Sequence, residues 1–146
     1  MSISKSLRIK NLTTMAEIKI SELSIGDWVR ADGEAKRVHS IEYQNGEYFV
    51  HFSDPDTNSE DYMHAPFIKP IPLTPEILEK NGLCVVEEDA DFSEYELFGS
   101  ENFSIFHIKG TFHHRLETPQ ASVVCWNVHQ LQNALRLAGV GKEIEV

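Results

Sequence analysis

A thiol, an indole and an imidazole lie close together in the segment Cys125–His129. A cysteine at the start of a helix loses its proton more easily, and a nearby histidine could act as its general base. Helical periodicity disfavours this pair, because it places His129 on the side of the helix opposite to the apolar residues. We therefore assign no catalytic residue, and a cysteine–histidine hydrolase is kept as an alternative function.

The polar side of that helix is predicted to meet a partner. At about 100° per residue, the apolar side holds Val128, Leu131, Ala134, Leu135 and Ala138. The opposite side carries four polar residues that folding does not obviously require, and these are the candidate protein-contact residues: His129, Gln132, Asn133 and Arg136. His129 is expected to face solvent or a bound protein.

Three histidines around Lys109-Gly110 suggest metal binding as a second kind of chemistry. A two-residue turn at that dipeptide places His107 and His114 diagonally on one face of a hairpin, with His113 on the other face. Imidazole is a good zinc ligand, but two ligands are fewer than a zinc site uses. His107 and His114 are therefore weak metal candidates that need a third ligand from elsewhere in the fold. A metal-dependent hydrolase is kept as an alternative, and no cofactor is predicted.

The segment "DPDTNSED" begins like a calcium-binding EF-hand loop. Asp54, Asp56 and Asn58 supply oxygen ligands at alternating positions, as such a loop does. Ser59 stands where the loop requires glycine, and Ala65 stands where it requires a bidentate glutamate. The segment is therefore predicted to be a solvated acidic turn.

The charge of the chain disfavours nucleic acid as a partner. The 146 residues carry a formal charge of −10, and all 23 acidic residues follow Ala16 whereas three of the 13 basic residues precede it. Residues 17–146 therefore carry −13. Such a body repels phosphates, because nucleic-acid affinity depends on lysine and arginine neutralising them. A nucleic-acid-related accessory role, through the basic tail 1–16 or by mimicry of a phosphate backbone, is kept as an alternative.

Cysteine usage and hydropathy indicate a cytoplasmic protein. Cys84 and Cys125 lie far apart and form no Cys-x-x-Cys pair, which predicts reduced and at least partly buried thiols. No apolar run has the length of a signal peptide or approaches 18 residues, so neither secretion nor a membrane partner is expected.

Residues 17–70 are predicted to form short strands separated by tight turns at Asp32-Gly33 and Asn45-Gly46. A two-residue turn at Asn45-Gly46 pairs residues that share one half-buried face: Tyr43 with Tyr48, Ile41 with Val50, and His39 with Phe52. Phe49 is an exception, because it is a large apolar residue on the otherwise polar face. Four or five strands of this kind predict a small SH3-like barrel or curled sheet.

Two helices are predicted in residues 71–146, together with a sheet built on a β-hairpin. The helix near 75–81 begins at Thr74-Pro75, an N-cap followed by proline at the first helical position. The helix near 127–138 begins at Asn127, with glutamine three residues later as in a capping box. The predicted fold class is α+β with mostly antiparallel strands.

Three sequence blocks follow one another along residues 23–138. They are "LSIGDWV" in Leu23–Val29, "PIPLTPEILEKNG" in Pro70–Gly82 and "VHQLQNAL" in Val128–Leu135. In this order they resemble a family of small uncharacterised proteins of gut anaerobes and of their prophages and mobile elements. The ending "RLAGVGKEIEV" departs from the aromatic residues and Leu-Thr-Gly with which similar chains end. The resemblance implies no activity, ligand or catalytic residue.

Together these features favour a non-enzymatic protein-interaction or accessory module of a mobile element or phage. Its partner is expected to be another protein or a second copy of the chain.

Overall fold

The structure, a computed structural model, describes residues 18–53, 61–97 and 102–146. The chain divides into two compact units, with the boundary between Ile71 and Pro72. The predicted tail 1–16 and the segment 54–60 of the predicted acidic turn lie outside the described residues, so the expectations for them stay predictions.

The first unit contains five short antiparallel strands in two sheets. Their bounds are β1 Trp28–Ala31, β2 Glu34–Arg37, β3 Ser40–Gln44, β4 Glu47–His51 and β5 Tyr62–His64. β1 pairs with β2, and β3, β4 and β5 pair in that order. Short 3-10 turns occupy Ile20–Glu22 and Ala65–Phe67. Two main-chain hydrogen bonds of 2.8 Å join Arg30 and Lys69, so β1 is tied to the segment that follows β5.

The hairpin at Asn45-Gly46 has the predicted register. Both turn residues have a positive φ, 53° and 83°, as a two-residue turn between twisted strands requires. Tyr43 lies opposite Tyr48, and Ile41 lies opposite Val50. Val50 is buried, whereas the two tyrosine rings next to the turn are exposed, with their centroids 4.9 Å apart. The shared face is therefore buried only at the end of the hairpin away from the turn.

The core of the first unit gathers apolar side chains from both sheets and their flanks, namely Leu23, Val29, Ala31, Val38, Val50 and Ile68. In the described parts of this unit, 18–53 and 61–71, the strands form two separate sheets and no closed barrel. The SH3-like barrel that we expected is therefore not confirmed.

The second unit is a five-stranded antiparallel sheet with two helices. The bounds are α1 Pro75–Lys80, β6 Leu83–Glu88, β7 Phe92–Leu97, β8 Ser104–Ile108, β9 His114–Glu117, β10 Ser122–Cys125 and α2 Val128–Leu137. Each strand pairs with the next one in sequence, so the sheet is a meander from β6 to β10. The α+β class with mostly antiparallel strands is confirmed.

Both helices begin where the sequence predicts. Oγ1 of Thr74 accepts a hydrogen bond of 3.2 Å from the main-chain N–H of Ile77. Asn127 and Gln130 form a capping box at the start of α2. In it, Oε1 of Gln130 accepts from the N–H of Trp126 at 2.8 Å and from that of Asn127 at 3.1 Å. In the part of the chain that the structure describes, no helix is long and apolar enough to span a membrane.

Candidate functional site

The predicted contact side of α2 is not an exposed surface. His129 and Gln132 are only 1% and 2% exposed, and Asn133 and Arg136 are half-buried. The prediction that His129 faces solvent is wrong, and so is the exposed polar side that we expected around it.

The segment after α2 contacts two of these residues, Gln132 and Arg136. Nε2 of Gln132 donates to the carbonyl of Lys142 at 3.0 Å, and its Oε1 accepts from the N–H of Ile144 at 2.6 Å. Arg136 also lies 3.5 Å from a carboxylate oxygen of Glu143. The chain therefore returns along the polar side of α2, and its own groups form hydrogen bonds and an ion pair with the polar side chains there. For this reason we do not propose these residues as contacts for a partner.

The two candidate metal ligands stack on each other. His107 lies directly opposite His114 in the sheet, with ring centroids 4.5 Å apart and planes 19° from parallel. The diagonal placement that we predicted is wrong, because β8 and β9 are joined by the longer loop 109–113 and not by a two-residue turn at Lys109-Gly110.

Each of the stacked imidazoles holds that loop. His107 donates from Nε2 to the carbonyl of Thr111 at 2.7 Å, and His114 donates from Nδ1 to the carbonyl of Phe112 at 2.9 Å. His114 is fully buried, and this burial lowers its pKa to about 4, against the hydrogen bond to the Phe112 carbonyl, which raises it; His107 and His113 add to the lowering. Both histidines therefore have a structural role, which is to hold the loop 109–113 through its main-chain carbonyls.

Within the described residues, no third ligand joins this pair. Among residues 18–53, 61–97 and 102–146, no group of three or more histidine, cysteine or acidic side chains is arranged to hold a metal ion. A cleft of about 580 Å³ in the second unit is lined by neither a cysteine nor a histidine. The described residues therefore give the metal hypothesis no support.

The sheet does bring Cys125 beside a histidine, although not the one that the sequence suggested. Ser93, His107, His114 and Cys125 lie opposite one another on four adjacent strands, and all four are buried. Spacing along the chain relates Cys125 only to its neighbours at the start of α2, such as His129. The register of the β9–β10 hairpin, which turns at Pro119-Gln120, is the signal that could have revealed the pair with His114.

This cysteine is not an activated nucleophile. Burial raises the pKa of the Cys125 thiol to about 12, so the thiol is protonated at neutral pH. The reactive species in cysteine chemistry is the thiolate, and the neighbouring His114 remains neutral. Both cysteines are free thiols, but Cys84 is exposed, so the predicted partial burial is correct only for Cys125.

The first unit offers a different feature, an outward surface of five rings that we call the ring face. It consists of Phe49, His51, Tyr62, His64 and Phe67. Their centroids form a continuous path: His51 to Tyr62 5.4 Å, Tyr62 to Phe49 6.1 Å, Phe49 to His64 5.2 Å and His64 to Phe67 6.0 Å. Tyr62 and Phe67 are 50% and 65% exposed.

Two carboxylates stand on the ring face. Nε2 of His51 lies 2.9 Å from Oε2 of Glu42, and Nε2 of His64 lies 3.6 Å from Oε2 of Glu47. Both glutamate side chains are more than half exposed. The surface therefore combines aromatic rings with negative charge, which suits cation–π contacts and charge-assisted hydrogen bonds.

One member of this surface, Phe49, is already visible in the sequence as an exception to the alternation of β4, although the sequence alone assigns it no function. Comparison of the chain with protein-family models, with curated proteins and with solved structures finds no match.

Proposed function

We propose that the chain is a non-enzymatic protein-interaction module whose contact surface is the ring face. The observation that carries this proposal is a continuous path of five rings on the outward side of a three-stranded sheet, including two large aromatic side chains that are at least half exposed. Aromatic residues are enriched in protein interfaces and supply many of their energetic hot spots.

The position of these rings supports a role outside folding. Ile41, Phe52 and Met63 pack against the core of the first unit, and they belong to the opposite face of the sheet. Tyr62 and Phe67 bury only part of their apolar area in the folded chain. A partner that covers them would gain the hydrophobic free energy that the fold leaves unused.

The partner that fits best is a protein. Exposed aromatic rings can also stack on the bases of single-stranded nucleic acid, but such sites pair the rings with basic side chains that follow the phosphates. The residues that β3, β4 and β5 place on this face include Glu42 and Glu47 but no lysine or arginine. Phosphates would meet negative charge here, whereas a partner with basic side chains would be attracted.

The proposal also covers the setting of the module. The resemblance to proteins of prophages and mobile elements supports an accessory role in such an element, inside the cytoplasm. The partner is then a protein of the element or of its host, or a second copy of this chain.

Selection from a random peptide library displayed on phage, with the full chain as bait, tests the proposal. We expect wild-type protein to select peptides whose addition shifts the amide resonances of β4 and β5 in ¹⁵N spectra. The double variant Tyr62→Ser, Phe67→Ser should lose this binding and still fold, because both side chains are largely exposed.

The matched control is Tyr43→Ser, Tyr48→Ser, which removes two exposed rings from the opposite face of the same sheet. Peptides that bind the Tyr62/Phe67 variant as tightly as wild type would refute the proposal. So would tight binding of single-stranded RNA to the ring face. Sedimentation equilibrium separates a second copy from a foreign partner, because only self-association raises the mass of the protein alone.

A further inference from the structure

We infer that the ring face recognises an arginine side chain of its partner, with the ring of Phe49 as the floor of the site. The inference rests on the proposed function and names the side chain of the partner that the ring face binds. Four neighbours surround Phe49 on the sheet: Glu42 lies opposite on β3, His64 lies opposite on β5, and Glu47 and His51 lie two residues away along β4.

The two histidines position the two carboxylates. His51 reaches diagonally to Glu42 at 2.9 Å, and His64 reaches diagonally to Glu47 at 3.6 Å. Both imidazoles are mostly buried, with side-chain exposures of 16% and 29%, so they are fixed supports for the more exposed glutamates. Each contact uses Oε2, which leaves Oε1 of each glutamate to accept from a ligand.

This arrangement suits a guanidinium better than an ammonium ion. A guanidinium is planar and weakly hydrated, so it can lie on an aromatic ring while its edges donate to carboxylates on two sides. Glu42 and Glu47 flank the Phe49 ring from two directions, across the sheet and along the strand. An ammonium ion is compact and strongly hydrated, and it would have to give up water to reach the same ring.

Among residues 18–53 and 61–71 of the first unit, no lysine or arginine forms a cation–ring contact with the ring face. In the described part of the first unit, the contacts between a cation and a ring are those of Lys36 with Phe52 at 5.5 Å and of Arg37 with Trp28 at 5.7 Å. Lys36 is also bound to Asp61 at 2.8 Å. Both of these cations therefore lie on rings outside the ring face.

The test uses three short probes, acetyl-Gly-Arg-Gly-amide and its lysine and citrulline analogues, titrated into the ¹⁵N-labelled full chain. We expect saturable shifts at Phe49, Tyr62 and His64 with the arginine probe, at millimolar concentration. The lysine probe should bind at least about fivefold more weakly, and citrulline, which keeps the shape but loses the charge, should not saturate.

Two variants and a control locate the site. The double variant Glu42→Gln, Glu47→Gln keeps the size of both side chains and should weaken the arginine probe at least about tenfold. Phe49→Leu keeps an apolar floor without a π face and should weaken it about fivefold, and its spectrum reports whether the fold is intact. Glu34→Gln, at an exposed carboxylate of β2, should bind as wild type does.

The outcomes separate this inference from the proposed function. Equal binding of the arginine and lysine probes, or of citrulline, overturns the arginine site, and so does the absence of shifts on the ring face. If the displayed peptides bind the ring face but contain no arginine, the protein-interaction function stands and the arginine inference is refuted. If no displayed peptide binds the ring face, the proposed function itself fails.

Discussion

Acid is expected to destabilise the second unit through His114. Its side chain is fully buried and stacked on His107, and burial lowers its pKa from 6.5 to about 4. As the pH falls through 6.5, the unfolded chain binds a proton at this position, but the folded chain does not do so until about pH 4. The stability is therefore complete above pH 6.5 and is lost between pH 6.5 and 4.

The size of the loss follows from the two pKa values. Relative to pH 7.5, proton binding by the unfolded chain at this single histidine costs about 2 kcal/mol at pH 5 and about 3 kcal/mol at pH 4. Domains are stable by roughly 5–15 kcal/mol, so a loss of this size is readily measured.

Urea unfolding at pH 7.5 and pH 5, in a Trp28→Phe background, isolates the effect. Trp126 then reports the second unit through its fluorescence. The variant His114→Phe preserves a flat ring opposite His107 but cannot bind a proton. We expect the histidine-containing protein to lose about 2 kcal/mol more than the variant between the two pH values.

Groups that titrate elsewhere in the chain contribute to both proteins and cancel in this comparison. The control His39→Gln changes an exposed histidine of the first unit and should keep the full pH dependence. Parallel stability profiles for the wild type and His114→Phe would show that the folded chain accommodates the proton, and that His114 is not held neutral by burial.

Three further predictions concern the thiols and the polar contacts of α2. With Ellman's reagent at pH 8, Cys84 of the native protein should react rapidly, whereas Cys125 should react only when the protein unfolds. Equal rates for the two thiols would contradict the burial of Cys125. Gln132→Ala should destabilise the chain by about 1–3 kcal/mol in urea, because it leaves the buried N–H of Ile144 and the part-buried carbonyl of Lys142 without their side-chain partner. The exposed Gln120→Ala should change stability by less than about 0.5 kcal/mol. Gln130→Ala removes the acceptor of two N–H groups at the start of α2 and should cost about 1 kcal/mol by thermal denaturation, and an unchanged melting temperature would contradict the capping role.

The parts of the fold that the sequence predicted correctly depend on residues close together in the chain. The register around Asn45-Gly46 follows from two residues that accept a positive φ, and the helix starts at Thr74 and Asn127 follow from caps that bind within one turn. Residues close together in sequence make all the contacts that form the turn and the two helix caps. These features can therefore be predicted without knowing the rest of the fold.

The polar side of α2 shows why the burial of polar residues was missed. Helical periodicity identifies the side that must be buried, but it does not show what covers the other side. Here the chain returns after α2, and its main-chain groups take Gln132 as both donor and acceptor. A glutamine whose hydrogen bonds are satisfied can be buried at little cost in free energy. Helical periodicity does not include those hydrogen bonds, so it predicts that a glutamine on the polar side is exposed.

The stacked histidines show a second cause of error, the length of a loop. Lys109-Gly110 is a weak turn signal, and the structure uses it inside the longer loop 109–113. Because the side chains of a strand alternate, a change in loop length changes which residues lie opposite each other. His107 and His114 therefore become direct partners, and the pairing of His114 with Cys125 follows from the next hairpin.

The ring face could not be derived from the sequence because its members come from β4, from β5 and from the 3-10 turn after β5, and no two-residue hairpin signal sets the register of β5 against β4. Phe49 alone is an exception in β4, and single exposed apolar residues are common on protein surfaces. The register of β5 shows that Phe49 belongs to a larger surface, because Phe49 lies opposite His64 and its ring is next to that of Tyr62. Folding does not require this coincidence on an outward face, since the core of the unit lies on the other side of the sheet. An irregularity that local rules leave unexplained, and that the fold repeats on the neighbouring strand, is the kind of feature that function explains better than stability.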